Sequence, residues 1–467
     1  MSHFKFDAIK VSALMLALAL TPFVSAQDVA ADFPASVDKI ELADGDTLVF
    51  LGDSITHQCL YTQYVEDFFY TRYPSARIRF HNSGVGGDRA NDALVRFDRD
   101  VAEWKPKYVT ILLGMNDGTY TRFEQGVFDT YEADMTTLLD RIKDAGAIAI
   151  PMTPTMFDSR AARIRDKGKS GRELRDKYYN GVLAFYGAWL REQAQTRGLG
   201  FVDMYSPLNN LTIQERKRDP SFTMIADAVH PGAAGQAVMA FAILNDMHVN
   251  RSVTSLNAQK VQDKWTVTAQ NGEVSEVGDG EELSFTFKAN SLPWVLPEEA
   301  ALGYDLTKAG HKMSNERFRV TGLAPGQYQL KIDGEPVGSY SHLQLQFKIE
   351  LQGNQRTPQY QQALEVAMRN KLRNDEAVRP LRNTWGRMKR ERRTLNAIKE
   401  GDADAAEKRA AFAKWEEEFN ATIAKHIERA KELENEIYEL NQPKPRTYTL
   451  TRVVRQPRQP LKVEAAK

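Results

Sequence analysis

The chain has 467 residues, 42% of them hydrophobic and 27% charged, with 62 Lys and Arg against 62 Asp and Glu. That length accommodates two or three domains with sizeable cores, and the balanced charge leaves no global field to draw in nucleic acid. The single cysteine, Cys59, excludes an internal disulfide or a cysteine metal cluster, so packing must hold the fold.

In chain order, Lys5 and Lys10 precede the apolar run Val11 to Phe23, which ends in Val24-Ser25-Ala26. A basic start, an apolar stretch and small residues at its end predict a cleavable secretory signal over 1–26, hence a secreted or periplasmic protein. The run is shorter than a bilayer span, and no later stretch is apolar enough, so no membrane span is expected in the mature chain.

Within 36–250, short β-branched or apolar runs alternate with helical stretches. Strands are predicted at Thr47 to Leu51, Arg77 to His81, Tyr108 to Leu113, Ala147 to Pro151 and Gly200 to Val202. This alternation predicts an α/β domain with a parallel sheet, in which sites form at the carboxyl ends of the strands. Over 258–356 the period falls to two, at Trp265 to Thr268, Glu282 to Lys288, Phe318 to Leu323, Tyr328 to Ile332 and Leu343 to Leu351. Turn signals at Pro325-Gly326 and Asp333-Gly334 complete a small antiparallel β-sandwich.

Residues 357–442 interrupt it with a helical hairpin. Leu364, Met368, Leu372, Leu381, Trp385 and Met388 form one apolar stripe, while Phe412, Trp415, Phe419, Ile423, His426, Leu433 and Ile437 lie on the other. Gly401-Asp402 marks the turn, Pro380 marks a kink, and the Arg-, Lys- and Glu-rich faces are expected to be solvated. Within 443–467, Tyr448 to Val454 is expected to return as a last strand, followed by a tail.

Chemistry concentrates in four segments at one sheet edge: Gly52-Asp53-Ser54, Asn82 to Asp88, Gly114-Met115-Asn116-Asp117 and Asp227-Ala228-Val229-His230-Pro231. Singly, each has a plain reading: Ser54 as a helix cap, Asn116 as a turn residue, Asp227 and His230 as a surface pair. Together they supply a hydroxyl nucleophile, a base that titrates near neutrality, a carboxylate to orient it, and donors for an oxyanion.

In this order the four segments resemble the SGNH/GDSL hydrolase family over roughly residues 45–250. The resemblance implies a flavodoxin-like three-layer α/β/α domain and a serine esterase mechanism without a cofactor or metal. It implies Ser54 as nucleophile, His230 as general base and Asp227 as its orienting carboxylate. The backbone N–H groups of Ser54 and Gly87 and the side-chain amide of Asn116 would form the oxyanion hole. Asp53 would be structural, and His57, one helical turn beyond Ser54, is the weaker base candidate. At Gly87 a side chain is expected to obstruct the approach of a substrate oxygen.

The segment Phe157 to Lys177 carries Arg160, Arg163, Arg165, Lys167, Lys169, Arg172, Arg175 and Lys177 at the rim of that edge. Either Arg163 and Arg165 guide an anionic substrate, or the segment is a solvated loop. An exported member with added modules resembles carbohydrate acetylesterases acting on small-molecule or polysaccharide esters. The alternatives are a lipase or lysophospholipase of the same family, or an inert glycan-binding scaffold with Trp265, Trp294, Trp385 and Trp415 as platforms. The sequence gives no indication of oligomeric state.

Overall fold

A computed structural model describes residues 34–167, 169–399 and 402–453. The signal segment 1–26, Gly401 of the hairpin turn and the tail beyond 453 lie outside the described residues.

Strands β1 (Thr47–Gly52), β2 (Arg79–Gly84), β3 (Tyr108–Leu112) and β4 (Ile148–Pro151) form a parallel sheet in the order β2-β1-β3-β4. Every residue of β1 and β3 is buried, so helices cover both faces, as a parallel sheet requires. The fifth expected strand, Gly200 to Val202, contributes only one bridge, Met152 with Val202. Asp203 ends it at once, because its carboxylate accepts the Ser206 N–H at 2.9 Å and opens the helix Tyr205–Glu215. Since β1 is flanked by β2 and β3, the segments leaving β1 and β3 diverge and open a crevice at the carboxyl edge.

The second half is built on β5 (Ser252–Val261), β6 (Lys264–Gln270), β7 (Gly272–Ser275), β8 (Leu283–Ala289), β9 (Asn315–Thr321), β10 (Gln327–Ile332), β11 (Glu335–Ser341), β12 (Ile349–Glu350) and β13 (Arg446–Arg452). They form two sheets, β11-β10-β13-β8-β7 and β12-β9-β5-β6, over one core that includes Phe285, Phe287, Phe318, Leu330 and Tyr448. Pairing is not purely antiparallel, because β5 and β9 run parallel. Leu343 to Leu351 is mostly helix, His342–Phe347, since Ser341 and Gln344 form a capping box that outweighs the period-two pattern. The four tryptophans proposed as platforms are core residues, at most 8% exposed.

The hairpin has a first arm of Pro358–Arg373, a π-helical turn Asn374–Val378 and Arg379–Asn396, and a second arm of Ala405–Leu440. The wide turn lies immediately before Pro380, where a helix must accommodate a ring and a missing N–H. Val85, from the segment after β2, inserts between the arms and packs with Leu381, Trp385, Met388, Trp415 and Phe419. The first arm's charged face is not solvated throughout: Arg373 and Arg382 are 5% and 0% exposed. They are buried because the α/β domain presents Glu66 and Asp100 beneath them.

Candidate active site

β1 delivers Asp53 and Ser54 to the crevice. The Asp53 carboxylate accepts the Ile55 N–H at 2.9 Å and caps the helical turn Ser54–His57, fixing the serine at its start. Gly84 lets this turn pass close to the end of β2, because a Cβ there would collide with the His57 backbone nitrogen. Burial, aided by the nearby carboxylates of Asp117 and Asp88, pushes the Asp53 carboxyl up to about 7.

Ser54 Oγ lies 2.8 Å from His230 Nε2, and His230 Nδ1 lies 2.6 Å from Asp227 Oδ2. The other Asp227 oxygen accepts the backbone N–H groups of His230 at 2.7 Å and Val229 at 3.0 Å. This tight loop is possible because Ala228 takes a left-handed conformation, with φ +74°. Partial burial raises the Asp227 pKa, but the donors of His230 and Val229 outweigh it and hold the carboxyl below its ordinary value. The hydrogen-bond network assigns the ring proton to Nδ1, leaving the Nε2 lone pair facing the serine hydroxyl.

Gly87 and Asn116 line one cavity, and Asn116 contacts Asp53, the residue before Ser54. Gly87 has φ +70°, and a Cβ there would meet nothing within 4 Å. Its residue type is therefore set by backbone conformation, not by obstruction from neighbouring protein atoms. Asn116 Nδ2 donates to the Asp88 carbonyl at 3.0 Å and, more weakly, to Asp53 Oδ2 at 3.3 Å, while its Oδ1 accepts from Tyr120 at 3.0 Å.

Residues 50–238 match the GDSL-like lipase/acylhydrolase family. This segment is a GDSL-like acylhydrolase domain within a longer chain. It is accordingly a carboxylic ester hydrolase. An acetylxylan esterase from Geobacillus stearothermophilus is 26% identical over 230 residues, which cover 44% of this chain and 96% of the relative. The solved structure of BT4096, a gut microbial diltiazem-metabolizing enzyme, has a TM-score of 0.74 and 24% identity, covering 90% of this chain and all of that one; this likeness establishes the fold.

In this GDSL-like hydrolase a cavity of about 790 Å³ adjoins Gly87 and Asn116, lined by Arg89, Asn91, Asp92, Thr119, Tyr120, Asp134 and, from the hairpin, Arg393. In the basic segment after β4, Arg165, Lys169, Arg172 and Arg175 all lie against the Asp166 carboxylate, which balances one of their four charges. Arg165 also donates to the Asp227 carbonyl and so touches the site, whereas Arg163 donates to the Asp176 carbonyl instead.

His57 has no ring nitrogen left for Ser54: Nδ1 accepts the Gly86 N–H at 3.2 Å and Nε2 faces Asn383 Oδ1 at 3.0 Å. Burial, then the positive charges of Arg382, Arg379 and Arg96, push it down to about 4, so it is neutral across physiological pH. Cys59 is fully buried, with its thiol pushed up to about 12 by desolvation.

Sequence reasoning passed over Asp88, Arg96 and Lys389. Asp88 accepts from Arg96 at 2.8 Å and from Lys389 at 2.7 Å. Arg96 also reaches the Gly52 carbonyl at 3.3 Å, two residues before Ser54. Asp88 closes the segment Asn82 to Asp88 and Arg96 lies on the next helix, but Lys389 comes some 300 residues later. Among the described residues no cluster of His, Cys, Asp or Glu has the arrangement to hold a metal ion, and no helix is long and apolar enough to cross a membrane.

Proposed function

We propose that this hydrolase is an exported carbohydrate O-acetylesterase working through Ser54, His230 and Asp227 with an acyl-enzyme intermediate. The hydrogen-bonded chain from Ser54 Oγ through His230 to Asp227 carries this reading. Ser54 Oγ attacks the acetyl carbonyl and its proton passes to His230 Nε2. The oxyanion is met by the N–H groups of Ser54 and Gly87 and by the Asn116 amide, whose weak contact with Asp53 is the one an oxyanion replaces. Collapse expels the sugar alkoxide, which takes the proton from His230. Water then attacks the acetyl-serine, gives its proton to His230, and acetate leaves as Ser54 is restored.

Support for a sugar ester comes from Arg89, Asn91, Asp92 and Asp134 in the lining of the adjoining cavity, side chains suited to hydroxyl groups, and from the acetylxylan esterase among the relatives. The second reading is a longer-acyl hydrolase; the apolar cleft of about 520 Å³ at Phe123, Leu174, Tyr178, Val182 and Phe185 has none of Ser54, Gly87, Asn116 or His230 in its lining.

The experiment is acetate release from acetylated xylo-oligosaccharides, compared with octanoate release from p-nitrophenyl octanoate, before and after diethyl p-nitrophenyl phosphate treatment. The expected result is faster acetate release, abolished by one phosphoryl adduct that peptide mass spectrometry places on Ser54. An unmodified Ser54 in a fully inhibited protein would refute the mechanism; preferential octanoate release would favour the second reading. Export rests on the pattern of residues 1–26 and predicts a mature N-terminus near Gln27; a cell-extract protein retaining Met1 to Ala26 would refute it.

A further inference from the structure

The segment Gly84 to Asp88 is held by the helical hairpin, a module outside the family segment 50–238. Lys389 Nζ donates to the Gly87 carbonyl at 2.9 Å and to Asp88 Oδ1 at 2.7 Å, and also contacts Asp92 Oδ2 at 3.0 Å. Two peptide units earlier, the Gly86 N–H is fixed by His57 Nδ1, and Asn383 of the hairpin holds His57 through Nε2. The Gly86–Gly87 peptide, which bears the Gly87 N–H, is thus anchored at both ends by contacts that lead to one hairpin arm. Asp88 carries the same restraint onward, since its carbonyl accepts the Asn116 amide.

We propose that Lys389 and Asn383 are positioning residues for the oxyanion hole, so that the hairpin completes the active site of the α/β domain. The proposal rests on the reading of Gly87 N–H as an oxyanion donor. Glycine at 87 makes such support necessary, because its backbone has no side chain to restrain it and sits at positive φ. The Lys389 side chain is only 12% exposed and its acceptor Asp88 is fully buried, so water replaces the ammonium poorly. A donor moved by about 1 Å from the developing charge costs on the order of 100-fold in rate, without a matching loss of substrate binding.

The test is steady-state hydrolysis of p-nitrophenyl acetate by the full chain carrying Lys389→Met, Lys389→Arg or Asn383→Ala, with Ser54→Ala alongside. Lys389→Met is expected to lower kcat by about 10- to 100-fold with KM within about threefold, and Lys389→Arg to recover at least half of the lost factor on a logarithmic scale. Asn383 is exposed, so Asn383→Ala retains the fold and is expected to lower kcat severalfold at unchanged KM. Wild-type kcat in both Lys389→Met and Asn383→Ala, or a loss shared equally between kcat and KM, would overturn the proposal. If Lys389→Met does not fold, Asn383→Ala decides: a kcat-only fall supports positioning, and no change overturns it. An active Ser54→Ala would instead overturn the serine mechanism itself, separating the two failures.

Discussion

Replacing Ser54 by Ala is expected to lower kcat for p-nitrophenyl acetate by about 10⁶-fold while leaving KM near its wild-type value. The hydroxyl is the group that His230 faces at 2.8 Å, and without it the imidazole has no proton to remove. The residual rate comes from whatever stabilisation the N–H groups around Gly87 and Asn116 give to attack by water. His230→Ala is expected to cost nearly as much, and the double variant no more than either single one, because the two residues act as one unit. About 10⁶-fold corresponds to about 8 kcal/mol of transition-state stabilisation. Rates for Ser54→Ala within tenfold of wild type, or losses that multiply in the double variant, would contradict a Ser54–His230 couple.

The largest effect on stability is expected from Arg382→Met. Arg382 is completely buried between the hairpin and the α/β domain, with Nη1 at 2.8 Å and Nη2 at 2.5 Å from the two oxygens of Asp100 and Nε at 2.9 Å from the Gly84 carbonyl. Removing one partner of a buried pair typically costs about 3–5 kcal/mol when the other charge is left uncompensated; Asp100 keeps Arg96 at 2.6 Å, so the loss is expected toward the lower end of that range. Met fills a similar volume, so the loss reports charge more than packing. Urea denaturation should reveal it, and adding Asp100→Asn should recover part of it, since the buried carboxylate that has lost its two-pronged partner is then removed. A loss below about 1 kcal/mol would show that the pair is dispensable.

This pair also sets a pH window. Burial alone would raise the Asp100 pKa, but Arg382, with His81 and Arg96, holds it far below the ordinary carboxylate value. A depressed folded pKa means that the unfolded state binds the proton first, at about pH 3.9. The stabilisation is therefore complete above that pH and is lost as pH falls toward the folded value. Arg382→Met removes the strongest opposing influence, so its melting temperature should fall with acidification at a higher pH than that of wild type.

Much of the site was legible because parallel strands discharge their following residues at one edge. Gly52 to Ser54, Asn82 to Asp88 and Gly114 to Asp117 each follow a run of β-branched or aromatic residues, and that order suffices to place them together. Asp227 and His230 could be paired from their spacing of three, but the left-handed Ala228 that closes their loop has no local signature. In the basic segment the charges were legible but their grouping was not: four cations gather around the single Asp166 carboxylate. Arg382 and Lys389 were invisible for the converse reason. On a helix rich in arginine, nothing local distinguishes a solvated cation from one that reaches Asp100 or Asp88 some 300 positions earlier. At Leu343 to Leu351 two local signals competed, and a hydrogen-bonded cap prevailed over alternating hydrophobicity.

The placement of β13 governs the order of assembly. This strand follows the hairpin in sequence, yet it lies between β10 and β8 in the five-stranded sheet. Until residues 446–452 emerge from the ribosome, β10–β11 and β7–β8 are separate ribbons with unpaired inner edges, and Phe285, Phe287 and Leu330 lack the cover of Tyr448 and Leu450. The sandwich is thus closed by a strand synthesised after all its sheet partners, once the whole hairpin has emerged and can dock on the α/β domain. Translation order makes this sheet a late checkpoint, and a nascent chain that stalls within the hairpin exposes edges open to pairing with other chains.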